Sequence, residues 1–361
     1  MSRVVIAAQL QQRFEGHVPE LKTLHNGHFQ NLVVGGGPAG YAIVSTLLDG
    51  GSWPTLWVDP AFQAGRLAQY LEVPANTKTK WLFPYATTPA CGSGEPALEP
   101  FQGENLETPC ALQASQQMVV LLTEHIFNHH SDKVTMRRGF VDSLQWLQDR
   151  WEIDDGQLTA DRVFLATGSI PQEPVGFPGV PRISLDDGLV PSKLPGCVTS
   201  EDTVCVVGSS HSAMLVLMNL LGMDNGPKVV NVFRSALRYA REGPTGATTY
   251  EYTGLKGAAA NWARERLETG YYERVGKLQR ISTIDQHGSH ALKACTKVIG
   301  AIGFKRSPLP AITVDGVPLR DIEHDKHTGV IIPGKLYGYG IAFPEEVIDP
   351  DSFANLLTDR S

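Results

Sequence analysis

The sequence has no cysteine pair placed for redox work. Its five cysteines, Cys91, Cys110, Cys197, Cys205 and Cys295, contain no C-x-x-C spacing and no zinc-like quartet. Dithiol exchange and structural zinc are therefore excluded, and free thiols are expected. No long apolar run is present either. The longest, Ala213 to Met223, is about half of the ~20 residues that a membrane-crossing helix needs. The apolar run Val4 to Ala8 is too short for a signal-peptide core. Basic charge is not in excess: the net charge is −7, which gives no general surface for nucleic acid. These absences predict a cytosolic protein whose partner is a small molecule rather than a membrane or a nucleic acid.

What is present fits a globular chain. Its 361 residues suffice for two domains, and 42% hydrophobic with 19% charged residues excludes a disordered chain. The stretch Asn31 to Gly40, NLVVGGGPAG, organises the rest. Leu32-Val33-Val34 reads as a strand, Gly35, Gly37 and Gly40 fit G-x-G-x-x-G, and Pro38-Ala39 opens a helix that continues through Tyr41 to Leu48. The first glycine allows a tight turn. The second lets the backbone approach a pyrophosphate, and the third lets helix and strand pack closely. The helix N-terminus then favours the anion. A second strand, Thr55 to Val58, ends in Asp59, 24 residues after Gly35, near where a carboxylate accepts from ribose hydroxyls.

Residues 1–30 read as an arm before the first strand, with a short helix at Gln9 to Leu24. His17, His25 and His28 in it have no metal spacing. Gly65 and Arg66 follow the ribose acid and either line a pyrophosphate or flavin channel or stand on the surface. Trp81 to Tyr85, WLFPY, is an aromatic patch that walls a pocket or fills core. Residues 86–110, rich in Pro, Gly, Thr, Ser and Glu, read as a long loop. Ala111 to His130 reads as a helix that places His125 and His129 on one face. Residues Val134 to Asp154 alternate as a small antiparallel meander. They lead to a strand at Arg162 to Leu165 and then to Ala166-Thr167-Gly168-Ser169.

After a crossover at Asp186 to Glu201 a second strand–turn–helix unit begins. Thr203 to Val207 is its strand, and the turn Gly208-Ser209-Ser210-His211-Ser212-Ala213 fits G-x-S-x-x-A. Here Ser210 replaces the middle glycine and offers a hydroxyl to a phosphate oxygen. The next strand, Val229 to Phe233, is followed by Arg234-Ser235 and Arg238. Bases where an NAD site places an acid favour the 2′-phosphate of NADPH. Lys297 to Phe304 reads as another buried strand, and Phe353 to Thr358 as a short closing helix.

VVGGGPAG, LWVDP, LATGSIP, VCVVGSSHSA and VIGAIGF, in that order, resemble the two-dinucleotide-binding-domain flavoproteins. The resemblance covers Asn31 to Phe304. It implies an α/β fold of two Rossmann-like domains, the second inserted in the first, with a small antiparallel β meander. Residues 1–188 and 312–361 would form the FAD domain and 189–311 the NAD(P) domain. Within that class, GRLAQYLEVPANTKTKWLFP looks like the glycine-turn-to-Asn-Thr region of flavin-containing and N-hydroxylating monooxygenases. By that resemblance Asn76 would sit over the flavin and hydrogen-bond a flavin-bound peroxide. The chain departs from the pattern in two places. It lacks F-x-G-x-x-x-H, and KLYGYGIAFPEE stands where a Gly-Asp usually binds the flavin. There Gly340 and Ile341 would offer backbone N–H groups, with Glu345 or Glu346 in place of the aspartate. The resemblance thus implies an FAD- and NADPH-dependent monooxygenase acting on a small molecule through a flavin C4a-hydroperoxide. An NADPH dehydrogenase or reductase passing electrons to a quinone or other small acceptor, and a non-catalytic nucleotide-binding regulatory protein, are the alternatives. A homodimer stays open.

Overall fold

The computed structural model describes residues 27–242, 248–250, 253–283 and 292–346. The helices expected at Gln9 to Leu24 and Phe353 to Thr358 lie outside the described residues.

The first half of the chain builds β1 (Gly27–Val34), helix α1 (Pro38–Asp49), β2 (Thr55–Asp59), helix α2 (Leu112–His129), β3 (Val134–Arg138), β4 (Ser143–Leu147), β5 (Arg150–Ile153), β6 (Leu158–Leu165) and β7 (Ser169–Pro171). Helix α3 (Leu185–Leu189) leads into β8 (Thr203–Val207), helix α4 (His211–Leu221) and β9 (Lys228–Phe233). A short hairpin, β10 (Arg241–Glu242) with β11 (Thr248–Thr249), precedes helix α5 (Gly257–Trp262), β12 (Leu278–Ser282) and β13 (Lys297–Gly300). The chain then returns through β14 (Phe304–Arg306), β15 (Ala311–Val314), β16 (Val317–Pro318), β17 (Val330–Ile332) and β18 (Leu336–Gly338).

Among the described residues two main sheets form. The larger runs β16-β15-β4-β5-β6-β1-β2-β3, with the β17–β18 hairpin joined to β6. Its parallel part is β3-β2-β1-β6-β18. All five residues of β2 are buried, as suits a strand covered on both faces. One face packs under α1 and α2 through Tyr41, Val44, Met118, Leu122 and Ile126. The other packs on a mixed layer, in which β4 runs antiparallel to β5 and parallel to β15, through Leu144, Trp146, Trp151 and Ile312. Each such fully buried large side chain contributes about 1.5–3 kcal/mol. The smaller sheet is parallel, in the order β12-β9-β8-β13. Its main core includes Met214, Val216, Leu217 and Leu220 of α4. β7 and β14 pair antiparallel between the two sheets, with Ser169 opposite Arg306. The chain therefore enters the second sheet and leaves it through one two-stranded neck.

Three local expectations change. Gly27 to Gln30 belong to β1 rather than to an arm, because they pair with the start of β6. Val134 to Arg138 forms the parallel edge strand β3 on β2, so the antiparallel part begins only at β4. Residues 86–110 are not an open loop: they wind into single helical turns at Pro89–Cys91, Glu95–Leu98 and Glu99–Phe101. Ala90, Ala97 and Phe101 are buried there.

Candidate functional site

At the C-terminal end of β1 the backbone turns through Gly35, with φ +117°, a conformation that a side chain resists. The Gly35 N–H donates to Val58 O at 2.8 Å, while Val34 O accepts from Ala166 N–H at 2.8 Å. A Cβ on Gly35 would lie 2.3 Å from Ala166 O, and one on Gly40 would lie 1.8 Å from Gly35 O. Both glycines are therefore required by packing. At Gly37 the space is open: nothing but Ala64 O and Gly65 Cα approaches the Cβ position, each at 3.9 Å. Gly37 caps α1 without a side-chain hydrogen bond, Pro38 follows it, and the first turn carries no acid. The N–H groups of that turn have no intrahelical acceptor, so the loop offers a donor-lined concavity suited to an anion.

The second loop repeats this geometry. Gly208 has φ +134°. Its N–H donates to Val232 O at 2.8 Å, and Val207 O accepts from Ala301 N–H at 2.8 Å. A Cβ on Gly208 would lie 2.1 Å from Ala301 O. The match makes Phe233 the positional counterpart of Asp59 and Ala213 that of Gly40. Ala213 is fully buried, so α4 accommodates a methyl group that α1 does not. Ser209 Oγ donates to Ser235 O at 3.0 Å and ties the loop to the end of β9. Ser210 is exposed and caps α4 without a side-chain bond. Arg234 is exposed just beyond β9. His211, the first residue of α4, packs its Nε2 3.0 Å from Lys256 O. Burial, chiefly, and the Lys256 charge hold the imidazole below its ordinary pKa despite that hydrogen bond.

The other expected residues divide. Asp59 is buried, and its carboxylate accepts from Gly36 N–H at 2.6 Å, Ala61 N–H at 2.8 Å and Phe62 N–H at 2.6 Å. It therefore shapes the glycine loop directly, with little lone-pair capacity left over. Thr167 lies beyond β6, and its buried Oγ1 has no protein partner. Gly168 follows with φ +70°. Gly340 rests on the start of α1: a Cβ there would lie 2.6 Å from Ala39 Cβ. Ile341 is 65% exposed beside it. The structure thus gathers Gly35–Gly40, Asp59 and Gly340 around one helix N-terminus, although Gly340 comes from the far end of the chain.

Arg66 points elsewhere. Its Nη2 lies 2.5 Å from Asp186 Oδ1, and it also donates to the Tyr70 hydroxyl. Asn76 is exposed on a bend and accepts from Thr77 Oγ1 at 3.3 Å. The preceding residue meets the second unit, since a Cβ on Gly257 would lie 3.5 Å from Ala75 O. Asn76 therefore stands at the seam between the two units. Trp81, in a 3-10 turn, is 62% exposed. His125 and His129 stack with ring centroids 4.4 Å apart, yet no group of three or more metal-type side chains occurs among the described residues. No helix among them is long and apolar enough to cross a membrane.

Sequence reasoning missed Asp186, Tyr70 and Arg306. Arg306 donates to Ala342 O and Ile322 O, both at 2.8 Å, and lies 4.1 Å over the Phe343 ring, clamping the turn that carries Gly340. Its signal was only a lone arginine after a buried strand.

No model of a known protein family matches the chain. It is 37% identical over 370 residues to "Monooxygenase AgnR1" of Paecilomyces divaricatus, covering 88% of this chain and 91% of that protein. Among solved structures, the reduced form of the ornithine hydroxylase PvdA of Pseudomonas aeruginosa matches with a TM-score of 0.61 at 13% identity, over 88% of this chain and 93% of that one. The ornithine N-hydroxylase KtzI of Kutzneria sp. 744 matches with a TM-score of 0.60 at 11% identity, over 93% and 100%. A cyclohexanone monooxygenase variant of Rhodococcus sp. Phi1, bound to NADP+, matches with a TM-score of 0.54 at 12% identity, over 86% and 80%. These structural likenesses share the α/β dinucleotide-binding fold.

Proposed function

The chain belongs to the monooxygenase family of its Paecilomyces divaricatus relative, and from that premise we propose that it holds FAD on the first glycine loop and NADPH on the second, and inserts one oxygen atom of O₂ into a small organic molecule. The observation that carries the nucleotide assignment is the repeated loop. Two strand–turn–helix units share the same backbone hydrogen bonds at Gly35 and Gly208, each ending at an uncapped helix N-terminus. The residues fit the groups assigned to them. A Cβ would close the first loop at Gly35 and Gly40, and the Thr167 hydroxyl is buried with its hydrogen-bonding capacity unused.

FAD, when bound, supplies hydride acceptance and oxygen activation, chemistry that side chains do not provide. The protein supplies position and polarity. The N–H groups of Gly37, Ala39 and Gly40 would hold the FAD pyrophosphate. Asp59 fixes the loop that presents them, and Thr167 and Gly168 would meet the cofactor where β6 ends. Gly340 and Ile341 would close over it with backbone N–H groups and an exposed apolar side chain. On the second unit the first turn of α4 and the Ser210 hydroxyl would hold the NADPH pyrophosphate. Arg234 and Ser235 would meet the 2′-phosphate, because Phe233 stands where an acid would repel it. Asn76, at the seam, would donate its amide N–H to the oxygen being transferred. The division into 1–188 with 312–361 and 189–311 belongs to the same proposal. The two sheets support a two-unit division, but with its crossing at the β7–β14 neck rather than at 188, because Leu185 and Leu189 of α3 lie in the core of the second unit.

The visible spectrum of the purified protein, before and after anaerobic NADPH, tests the cofactor assignment. Flavin bands that bleach are the expected result; a colourless protein that cannot be reconstituted with FAD would overturn it. Oxygen insertion is tested by following NADPH, O₂ and product together. Peroxide alone from every substrate offered would overturn oxygenation and favour plain electron transfer.

A further inference from the structure

Asp186 and Tyr70 have no part in the scheme above, yet with Arg66 they form one cluster at the joint of the two units. The 3-10 turn Gly65–Gln69 begins against the first loop, since a Cβ on Gly65 would lie 3.2 Å from Gly37 Cα. One residue on, Arg66 Nη2 lies 2.5 Å from Asp186 Oδ1, and the Tyr70 hydroxyl donates to the same oxygen at 2.5 Å. The Arg66 and Asp186 side chains are about three-quarters covered. Burial first, and the Asp186 carboxylate next, push the Tyr70 phenol up to about 12, so it stays a donor at neutral pH.

Asp186 belongs to α3, whose first turn is capped by Ser184 Oγ accepting from Asp187 N–H at 3.0 Å. On its far side α3 is bound to α4: Asn219 Nδ2 donates to Gly188 O and Leu189 O, both at 3.1 Å. α4 is the helix that starts at the second loop. A parallel strap runs beside this one. Glu72 accepts from Ser192 N–H at 3.1 Å and from its hydroxyl, and Val73 is buried in the core of the second unit. A continuous path of packed backbone and hydrogen bonds thus runs from Gly37 through Arg66, Asp186 and Asn219 to the helix that starts at the second loop.

We infer that Arg66, Asp186 and Tyr70 are positioning residues that set the angle between the two nucleotide loops, and so the approach of the nicotinamide carried by one to the flavin carried by the other. An exposed ion pair would do little of this. A partly buried charge with two directed hydrogen bonds, fixed to rigid elements at both ends, does more, because removing one partner leaves the other unsatisfied. Hydride transfer is sensitive to such placement, since misplacing reactants by about 1 Å can cost on the order of a hundredfold.

The inference rests on the cofactor assignment above, so one arm of its test needs no cofactor. Spin labels at exposed Val317 and Tyr271, placed in a Cys197→Ser background, report the distance distribution between the units. In the nucleotide-free full chain, Asp186→Ala is expected to broaden or shift that distribution; an unchanged one overturns the inference. The second arm measures anaerobic flavin bleaching by saturating NADPH. Arg66→Ala and Asp186→Ala are each expected to slow it roughly tenfold or more. FAD content should be unchanged, Arg66→Lys should recover part of the rate, and the double variant should be no slower than the slower single one. Multiplying effects would overturn the inference, as would a fall in FAD content for Arg66→Ala alone, which would assign Arg66 to the cofactor. If NADPH does not bleach the wild-type flavin, the cofactor assignment fails, and the label distances still decide the role of the cluster.

Discussion

Gly40 and Ala213 stand at the same place in two loops built on the same backbone hydrogen bonds, and they differ by one methyl group. At Gly40 that methyl would press into Gly35 O at 1.8 Å, a contact that only movement of the helix or the loop could relieve. At Ala213 the methyl is accommodated and fully buried. Gly40→Ala is therefore expected to yield folded protein with most of its flavin lost and its NADPH affinity nearly intact. The ratio of flavin to protein absorbance, with an NADPH titration of the same sample, checks both halves. A yellow Gly40→Ala protein would show that the first loop has slack. Much at this scale was legible in the sequence, because the glycines answer to local backbone geometry. The partners of Arg66 and Asp59 were not. Asp186 lies 120 residues beyond Arg66, and no spacing rule reports so distant a contact. Asp59 was read for its distance from the glycines, whereas in the fold its carboxylate first binds the N–H groups beside it.

Strand pairs are the next scale, and one clip shows how the second sheet is held where β8 and β13 begin. Asp202, just before β8, accepts from Thr296 Oγ1 at 2.7 Å, from Lys297 Nζ at 2.9 Å and from Thr199 N–H at 2.8 Å. Burial alone would raise the Asp202 pKa. The hydrogen bonds from Thr296, Lys297 and Thr199 together outweigh it and hold the carboxyl well below the ordinary carboxylate range. A carboxyl more acidic in the folded state than in the unfolded state adds stability above its unfolded pKa of ~3.9, and that stability is lost as pH falls toward the folded value. Asp202→Asn is thus expected to lower the melting temperature by a few degrees at neutral pH. The gap from wild type should narrow below about pH 4. Melting curves across that range decide it, and a gap that is independent of pH would mean that the clip acts through shape rather than charge. Elements with strong periodicity, such as α2 and β8, were legible from sequence. β3 was read into the meander because alternation marks a strand without naming the neighbour it pairs with.

At the scale of the whole molecule the first nucleotide loop depends on chain that is far away in sequence. β18 pairs with the second half of β6, Leu336 opposite Val163 and Gly338 opposite Leu165. Tyr339 N–H donates to Leu165 O at 2.9 Å, and Trp151 Nε1 donates to Lys335 O at 3.0 Å. These bonds bring Gly340 against Ala39 at the start of α1. The sequence placed the end of the chain near the flavin only through its family resemblance. Pairing across more than 150 residues leaves no periodic trace in either partner. A chain ending at Arg306 would keep Gly35 to Gly40, Asp59 and the whole second sheet, but it would leave β6 and β4 with open edges. It is expected to bind NADPH weakly or not at all, because Val73 and its turn, buried in the second core, come from the damaged first unit. It is also expected to hold no flavin. Supplying residues 307–361 as a separate chain should restore the visible bands if the missing strands are what the loop requires. A truncated protein that is yellow and bleached by NADPH would mean that the glycine loop suffices alone, and that the returning segment caps a cofactor already bound.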